Sequence, residues 1–207
     1  MTTRRFCNRC GAVMAVAVPA GDNRERHLCD ACGHIDYQNP RVVVGAVVEH
    51  AGGVLLCRRA IDPRRGFWTV PAGFLELGES AADGAVRETF EETGVTVRVE
   101  APLVHFDLPA IGQIYLLFRA TAADLAGLGH PDTWSESLEV RSFGWDEIPW
   151  PELAFDAVRL TLELRIQDLR AGVDQLHHGA VTRRPDATST LSLHAHTLVG
   201  HTAHRLG

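Results

Sequence analysis

Gly73-Phe74-Leu75-Glu76-Leu77-Gly78-Glu79-Ser80-Ala81-Ala82-Asp83-Gly84-Ala85-Val86-Arg87-Glu88-Thr89-Phe90-Glu91-Glu92-Thr93-Gly94-Val95 reads as a loop, a short helix and a stop. Ser80, with Asp83 three residues on, makes a capping-box-like start. Gly94 stands where a helix ends in the left-handed conformation. At about 100° per residue, Ala82, Ala85, Val86, Thr89 and Phe90 share one stripe and are expected to face a core. Glu88, Glu91 and Glu92 gather on the other side, where i, i+3 and i+4 residues are neighbours.

Three carboxylates so placed repel one another, and they sit near the helix C-terminus, where the macrodipole disfavours negative charge. A charge run is usually a solvated face. A hard divalent cation, Mg²⁺ or Mn²⁺, held by oxygen ligands would instead relieve the conflict. Gly84 falls on the same face, where it either lets phosphate approach or is simply tolerated at ~1 kcal/mol relative to Ala.

The wider pattern resembles the signature of the Nudix hydrolases: Gly73, then Glu79, then Arg87-Glu88, Glu91-Glu92 and Gly94-Val95 at the family spacing. Thr89 departs from the family's aliphatic preference, and its hydroxyl is placed to bond back to the Ala85 carbonyl. The resemblance implies hydrolysis of a diphosphate linkage, with Glu88, Glu91 and Glu92 holding Mg²⁺. It also implies a backbone carbonyl of Ala72 or Gly73 as a further ligand. Arg87 is expected to brace the loop through Glu79 or Glu76. A later carboxylate would complete the site, with Glu139 the first choice and Glu136 the second. The general base stays open among Glu88, Glu91, Glu136 and Glu139.

The 207 residues are enough for one core-bearing domain plus a small module. A net charge of -6 and a hydrophobic share of 45% describe a globular chain with no general pull toward nucleic acid or anionic membrane. All 20 basic residues are Arg. No apolar run approaches the ~18 residues of a membrane span. Arg4, Arg5 and the run Ala12 to Val18 loosely imitate a signal peptide, but Asn8, Arg9 and two cysteines interrupt it, so a cytoplasmic location is expected.

Cys7-Asn8-Arg9-Cys10 and Cys29-Asp30-Ala31-Cys32 are each followed by a glycine and enclose two strand-like pieces, Val13 to Val18 and Arg24 to Leu28. That is the layout of a zinc ribbon over residues 1–38, with four thiolates closing a structural Zn²⁺ site. The fifth cysteine, Cys57, lies in the apolar run Val54 to Cys57 and reads as a small buried hydrophobe.

Residues 39–170 read as the main domain. Strands are expected at Val42 to Glu49, Val54 to Arg59, Val95 to Phe106, Gln113 to Ala120 and Glu139 to Trp145, with a helix over Glu152 to Leu169. This mixture is α/β (α+β), and the family resemblance implies a mixed sheet sandwiched between helices. Residues 171–207 read as a His-rich tail, partly ordered or not, with Leu191 to Leu198 as a potential edge strand. The spacing of its histidines matches no metal-ligand set.

For the substrate, Arg58 and Arg59 alternate across a strand, so one of them is expected to face it. Phe67, Trp68, Phe106 and Tyr115 offer ring stacking or core packing. The chain lacks the Ser-Gln-Pro-Trp-Pro-Phe-Pro-x-Ser motif of the NADH pyrophosphatases. It is more similar to the plant-type ADP-ribose/FAD pyrophosphatases at Tyr37-Gln38-Asn39-Pro40, Leu55 to Arg59, Trp68 to Gly73, Ile111-Gly112-Gln113 and Asp146-Glu147-Ile148-Pro149. That resemblance implies FAD or ADP-ribose as substrate, releasing AMP plus FMN or ribose 5-phosphate. The alternatives are another dinucleotide, an RNA cap, or a binding module on an inactive scaffold. A homodimer is common among such proteins.

Overall fold

The computed structural model describes residues 5–125, 128, 136–184 and 196–206. They divide into two compact units that meet at Asn39 and Pro40, one residue beyond the expected boundary.

The first unit is a three-stranded antiparallel sheet of β1 (Ala15–Ala17), β2 (Arg26–Leu28) and β3 (Ile35–Asp36). Cys7 and Cys29 are its buried centre, together with Met14. The amide of Gly11 donates to the Cys7 carbonyl and that of Gly33 to the Cys29 carbonyl. Both glycines have positive φ, which turns each cysteine pair into a tight knuckle.

In the second unit nine strands form one sheet: β4 (Arg41–His50), β5 (Gly53–Arg59), β6 (Trp68–Thr69), β7 (Ala72–Phe74), β8 (Arg98–Leu108), β9 (Gln113–Thr121), β10 (Ser137–Gly144), β11 (Gln175–Arg183) and β12 (His196–Arg205). The order is β10-β5-β4-β9-β8-β11-β12, with β6 paired to β5 and β7 to β4. β4 runs parallel to β9 and β11 parallel to β8, while the other pairs are antiparallel. The sheet is therefore mixed, as expected.

Alternation along β4 sends Val47 to one face and Ala46 and Val48 to the other. On the first face α2 (Asp156–Ala171) supplies Ala157, Val158, Leu162 and Leu164 to the larger core. On the second, α1 (Ala81–Thr93) lies over a smaller core that includes Val95, Val97 and Val140. A partly buried ion-pair network pins α2 down: Arg165, itself buried, has Nε 2.6 Å from Glu49 Oε1, and Asp174 joins Arg165 to Arg119. Such a network matters for geometry, because removing one partner would strand a buried charge.

The segment read as a tail, partly ordered or not, is strand over most of its described residues. β11 and β12 extend the main sheet, and their pairing places Val181 in the larger core. Of the edge strand anticipated at Leu191 to Leu198, residues 191–195 lie outside the described residues, and β12 runs from His196 to Arg205. β6 and β7 were also illegible, being two and three residues long.

The helix of the opening stretch forms as expected. Ser80 Oγ caps the Asp83 amide, and Gly94, at φ 74°, returns its own amide to the Phe90 carbonyl. Its buried face is rotated from expectation. Gly84, Ala85, Thr89, Glu92 and Thr93 are buried, whereas Phe90 is 46% exposed. Thr89 Oγ1 donates to the Ala85 carbonyl at 2.7 Å, so the polar residue on the buried face is satisfied within the helix.

Candidate active site

One cavity of about 820 Å³ opens between α1, β7, the loop after β5 and the start of α2. Glu88, Glu91, Glu92 and Glu136 line it, along with Ala72, Gly73, Arg59, Tyr115 and Phe155. Three side chains anticipated there are placed otherwise. Glu139 is absent from the wall and lies 3.7 Å from Arg58 across the β5–β10 pair, with no closer ion pair. Arg58 instead donates Nε to the Gly66 carbonyl. Trp68 is 5% exposed and packs edge-on against Phe143 at 4.9 Å, which commits it to the core and overturns its expected role in substrate binding. Phe106 is likewise fully buried.

Of the alternating pair, Arg59 is the member that reaches the cavity; its Nε donates to the Pro63 carbonyl and its guanidinium lies 5.1 Å from the Phe155 ring. Tyr115 is the aromatic residue of the expected four that lines the wall, and burial pushes its phenol above the ordinary range.

Arg87 organises the carboxylates. Its Nε and Nη2 grip Glu79 at 3.0 and 2.7 Å, and Glu79 in turn accepts the Glu76 amide at 2.8 Å. The guanidinium holds Glu79 down to about 2. Of the two residues expected to receive Arg87, it is Glu79 that does so, and Glu76 takes part through the amide it donates to Glu79. Arg87 Nη1 also donates to Glu88 at 2.8 Å and to Glu91 at 3.2 Å.

Glu92 points the other way. Its Oε2 accepts from the Ala72 amide at 3.1 Å and from the Cys57 thiol at 3.3 Å. Burial pushes Glu92 up to about 8, and burial also raises Glu88 against the pull of Arg87. Cys57 is buried as expected, but its contact with Glu92 was hidden in the sequence because the two residues lie 35 positions apart, on β5 and α1.

Gly73 leaves room for the Glu88 side chain. A Cβ there would collide with the Glu88 carboxylate. At Gly84 the reading of a phosphate approach is corrected: a Cβ would meet Glu79 Oε1 at 2.7 Å and Val44 at 2.9 Å, so this glycine permits close packing of α1 on the sheet and loop.

Among the described residues the tight group of potential metal ligands is Cys7, Cys10, Cys29 and Cys32, whose sulfurs all lie within 4.8 Å of one another. The pairs Cys7–Cys32 and Cys10–Cys29 are 3.6 and 3.5 Å apart. A tetrahedron with Zn–S bonds of about 2.3 Å has edges of about 3.8 Å, so the four thiols fit Zn²⁺ with no open position. The glutamates do not converge in this way. They line the cavity, a donor set of hard oxygens suited to Mg²⁺ shared with ligands from a substrate.

Residues 39–163 match the NUDIX domain family and residues 5–38 the Nudix N-terminal family. The chain therefore belongs to the Nudix hydrolases and carries their N-terminal zinc-ribbon module. It is 30% identical over 127 residues to an ADP-ribose pyrophosphatase of Methanocaldococcus jannaschii, covering 58% of this chain and 70% of that protein. It is 30% identical over 177 residues to the NAD-capped RNA hydrolase NudC of Chromobacterium violaceum, covering 82% of this chain and 62% of that protein. A crystal structure of a NUDIX hydrolase from Nitrosomonas europaea is 42% identical, with a TM-score of 0.80, covering 85% of this chain and 98% of that one. No helix among the described residues is long and apolar enough to cross a membrane.

Proposed function

We propose that this chain hydrolyses the diphosphate bond of a nucleoside diphosphate derivative, with ADP-ribose and FAD as the substrates to be expected and Mg²⁺ or Mn²⁺ as the cofactor. The carrying observation is a cavity lined by Glu88, Glu91, Glu92 and Glu136 together with Tyr115 and Phe155. A pocket of this size and mixed lining suits a ligand with a polyanionic middle and flat or apolar ends. The ADP-ribose pyrophosphatase relative supports the same reading.

Divalent ions, when bound, would neutralise the bridging phosphates and acidify a coordinated water. Glu88, Glu91 and Glu92 would hold them, with a carbonyl of Ala72 or Gly73 close by. The tie from Arg87 to Glu79 fixes the loop that carries Gly73, so the wall is organised before substrate arrives. Arg59 would meet a phosphate or the leaving group, and Tyr115 a ring. One water is consumed and one P–O–P bridge breaks, giving AMP plus ribose 5-phosphate or FMN. Of the candidates for the general base, Glu88, Glu91 and Glu136 line the cavity and Glu139 does not.

The test is incubation with Mg²⁺ and a panel of ADP-ribose, FAD, NADH and NAD-capped RNA, with products separated by chromatography. AMP with ribose 5-phosphate or FMN is expected. A folded protein that releases no AMP from any of them would contradict the proposal. A higher kcat/KM on NAD-capped RNA than on free dinucleotides would move the substrate to that polymer, in line with the NudC relative.

A further inference from the structure

The cavity has a wall made by the C-terminal strand. His196, the first residue of β12, and Asp156, the first residue of α2, both line it. His196 Nδ1 lies 3.0 Å from Asp156 Oδ2, and the His196 amide donates to the same oxygen at 3.1 Å. Arg159 Nε donates to Asp156 Oδ1 at 3.1 Å, and Arg159 Nη2 donates to the His196 carbonyl at 3.3 Å. These contacts clamp the residue by side chain and backbone together. The side chain of Asp156 is 6% exposed and that of His196 25%.

A carboxylate oxygen only accepts, so Nδ1 carries a proton, and in the imidazole form Nε2 then presents a lone pair. Among the described residues Nε2 has no hydrogen-bond partner. Ala157 and Val158, which follow Asp156 along α2, and Val181, two residues from Arg183, the register partner of His196, line the same cavity. An acceptor in such a setting suits a hydroxyl donor. Phosphate oxygens at neutral pH are themselves acceptors, so the imidazole form offers them nothing at Nε2.

We propose that His196, positioned by Asp156, is a substrate-binding residue that accepts a hydrogen bond from a sugar hydroxyl of the bound nucleoside diphosphate. This rests on the reading that the cavity takes such a compound. It assigns a specificity role to a strand that follows the family's signature helix by a hundred residues and whose histidines match no ligand spacing.

The test compares His196→Ala and His196→Gln with wild type on ADP-ribose and on analogues lacking one sugar hydroxyl each. His204→Ala is the control on the same strand, since its ring stacks on His178 at 5.3 Å, outside the cavity. Loss of a neutral hydrogen bond predicts a KM about 5- to 10-fold higher for His196→Ala, with kcat changed much less. Gln, which keeps an acceptor at similar reach, should recover part of it. For one deoxy analogue the variant and wild type should behave alike. Affinity for ADP-ribose in Ca²⁺, measured by calorimetry, gives the same comparison without turnover. Unchanged KM and unchanged affinity in a folded His196→Ala chain overturn the proposal, while wild-type turnover leaves the functional reading standing. A loss of affinity in a chain whose wild type hydrolyses nothing does the reverse. A wild type that neither binds nor cleaves ADP-ribose overturns both.

Discussion

The cysteine cluster of the ribbon and the glutamate wall of α1 both crowd like groups together, yet they are built to opposite ends. The four sulfurs are already at ligand distance, two of them buried, and knuckle turns fix them from both sides. The glutamates are divided by the protein itself: Arg87 Nη1 bridges Glu88 and Glu91, while Cys57 and the Ala72 amide hold Glu92 separately. A preassembled set with no open corner serves folding. A dispersed set facing a cavity leaves coordination positions for a substrate. Crowded charge is thus common to both regions, and access separates them.

The largest effect that would break this comparison is on the ribbon. Cys10→Ser should abolish Zn²⁺ retention and the fold of residues 5–38, because so small a unit has little core of its own. Zinc content and limited proteolysis read this, and a folded, protease-resistant ribbon without zinc would contradict it. Gly73→Ala should come next. The new Cβ would displace the Glu88 carboxylate and lower kcat/KM by about 10²-fold, with a small change in stability. Full activity would remove Glu88 from the site.

A third effect follows from Glu92. Its folded pKa of about 8 lies above its ordinary 4.5. The protonated form is therefore favoured in the metal-free fold, and this contribution to stability is present below pH ~4.5 and lost as pH rises toward ~8. A bound cation would relieve the buried charge. The rise in Tm on adding Mg²⁺ should accordingly be larger at about pH 8.5 than at about pH 5.5, and a rise independent of pH would argue that Glu92 is no ligand. The smallest effect is expected at Cys57→Ala. Losing the thiol donor should shift the Mg²⁺ concentration for half-maximal rate a few-fold and cost about 1 kcal/mol of stability. No shift would leave Cys57 as packing alone.

Much of this was legible in the chain. The i, i+3, i+4 spacing of the glutamates and the paired cysteines are local patterns, and local geometry decides both. The fate of Glu92 was not legible. The apolar stripe put Phe90 inward, whereas close packing at Gly84 rotates α1 so that Glu92 enters the core side of the cavity wall. The choice between Glu136 and Glu139 also escaped, because a register shift between Ser137 and Glu139 on β10 sets which of them meets the cavity. Trp68 looked like a stacking residue, but a two-residue strand beside β5 turns it onto Phe143. β11 and β12 were hidden because His, Thr and Gly carry little strand signal, and their pairing with distant β8 supplies what propensity lacks.

The most direct test is AMP release from ADP-ribose or FAD by wild type and by Glu92→Gln, with and without Mg²⁺, in chains whose zinc content and Tm are matched. The account predicts Mg²⁺-dependent release by wild type and a loss of at least about 10²-fold in the variant. Equal release by the two proteins, or release by wild type that survives removal of divalent ions, would contradict it.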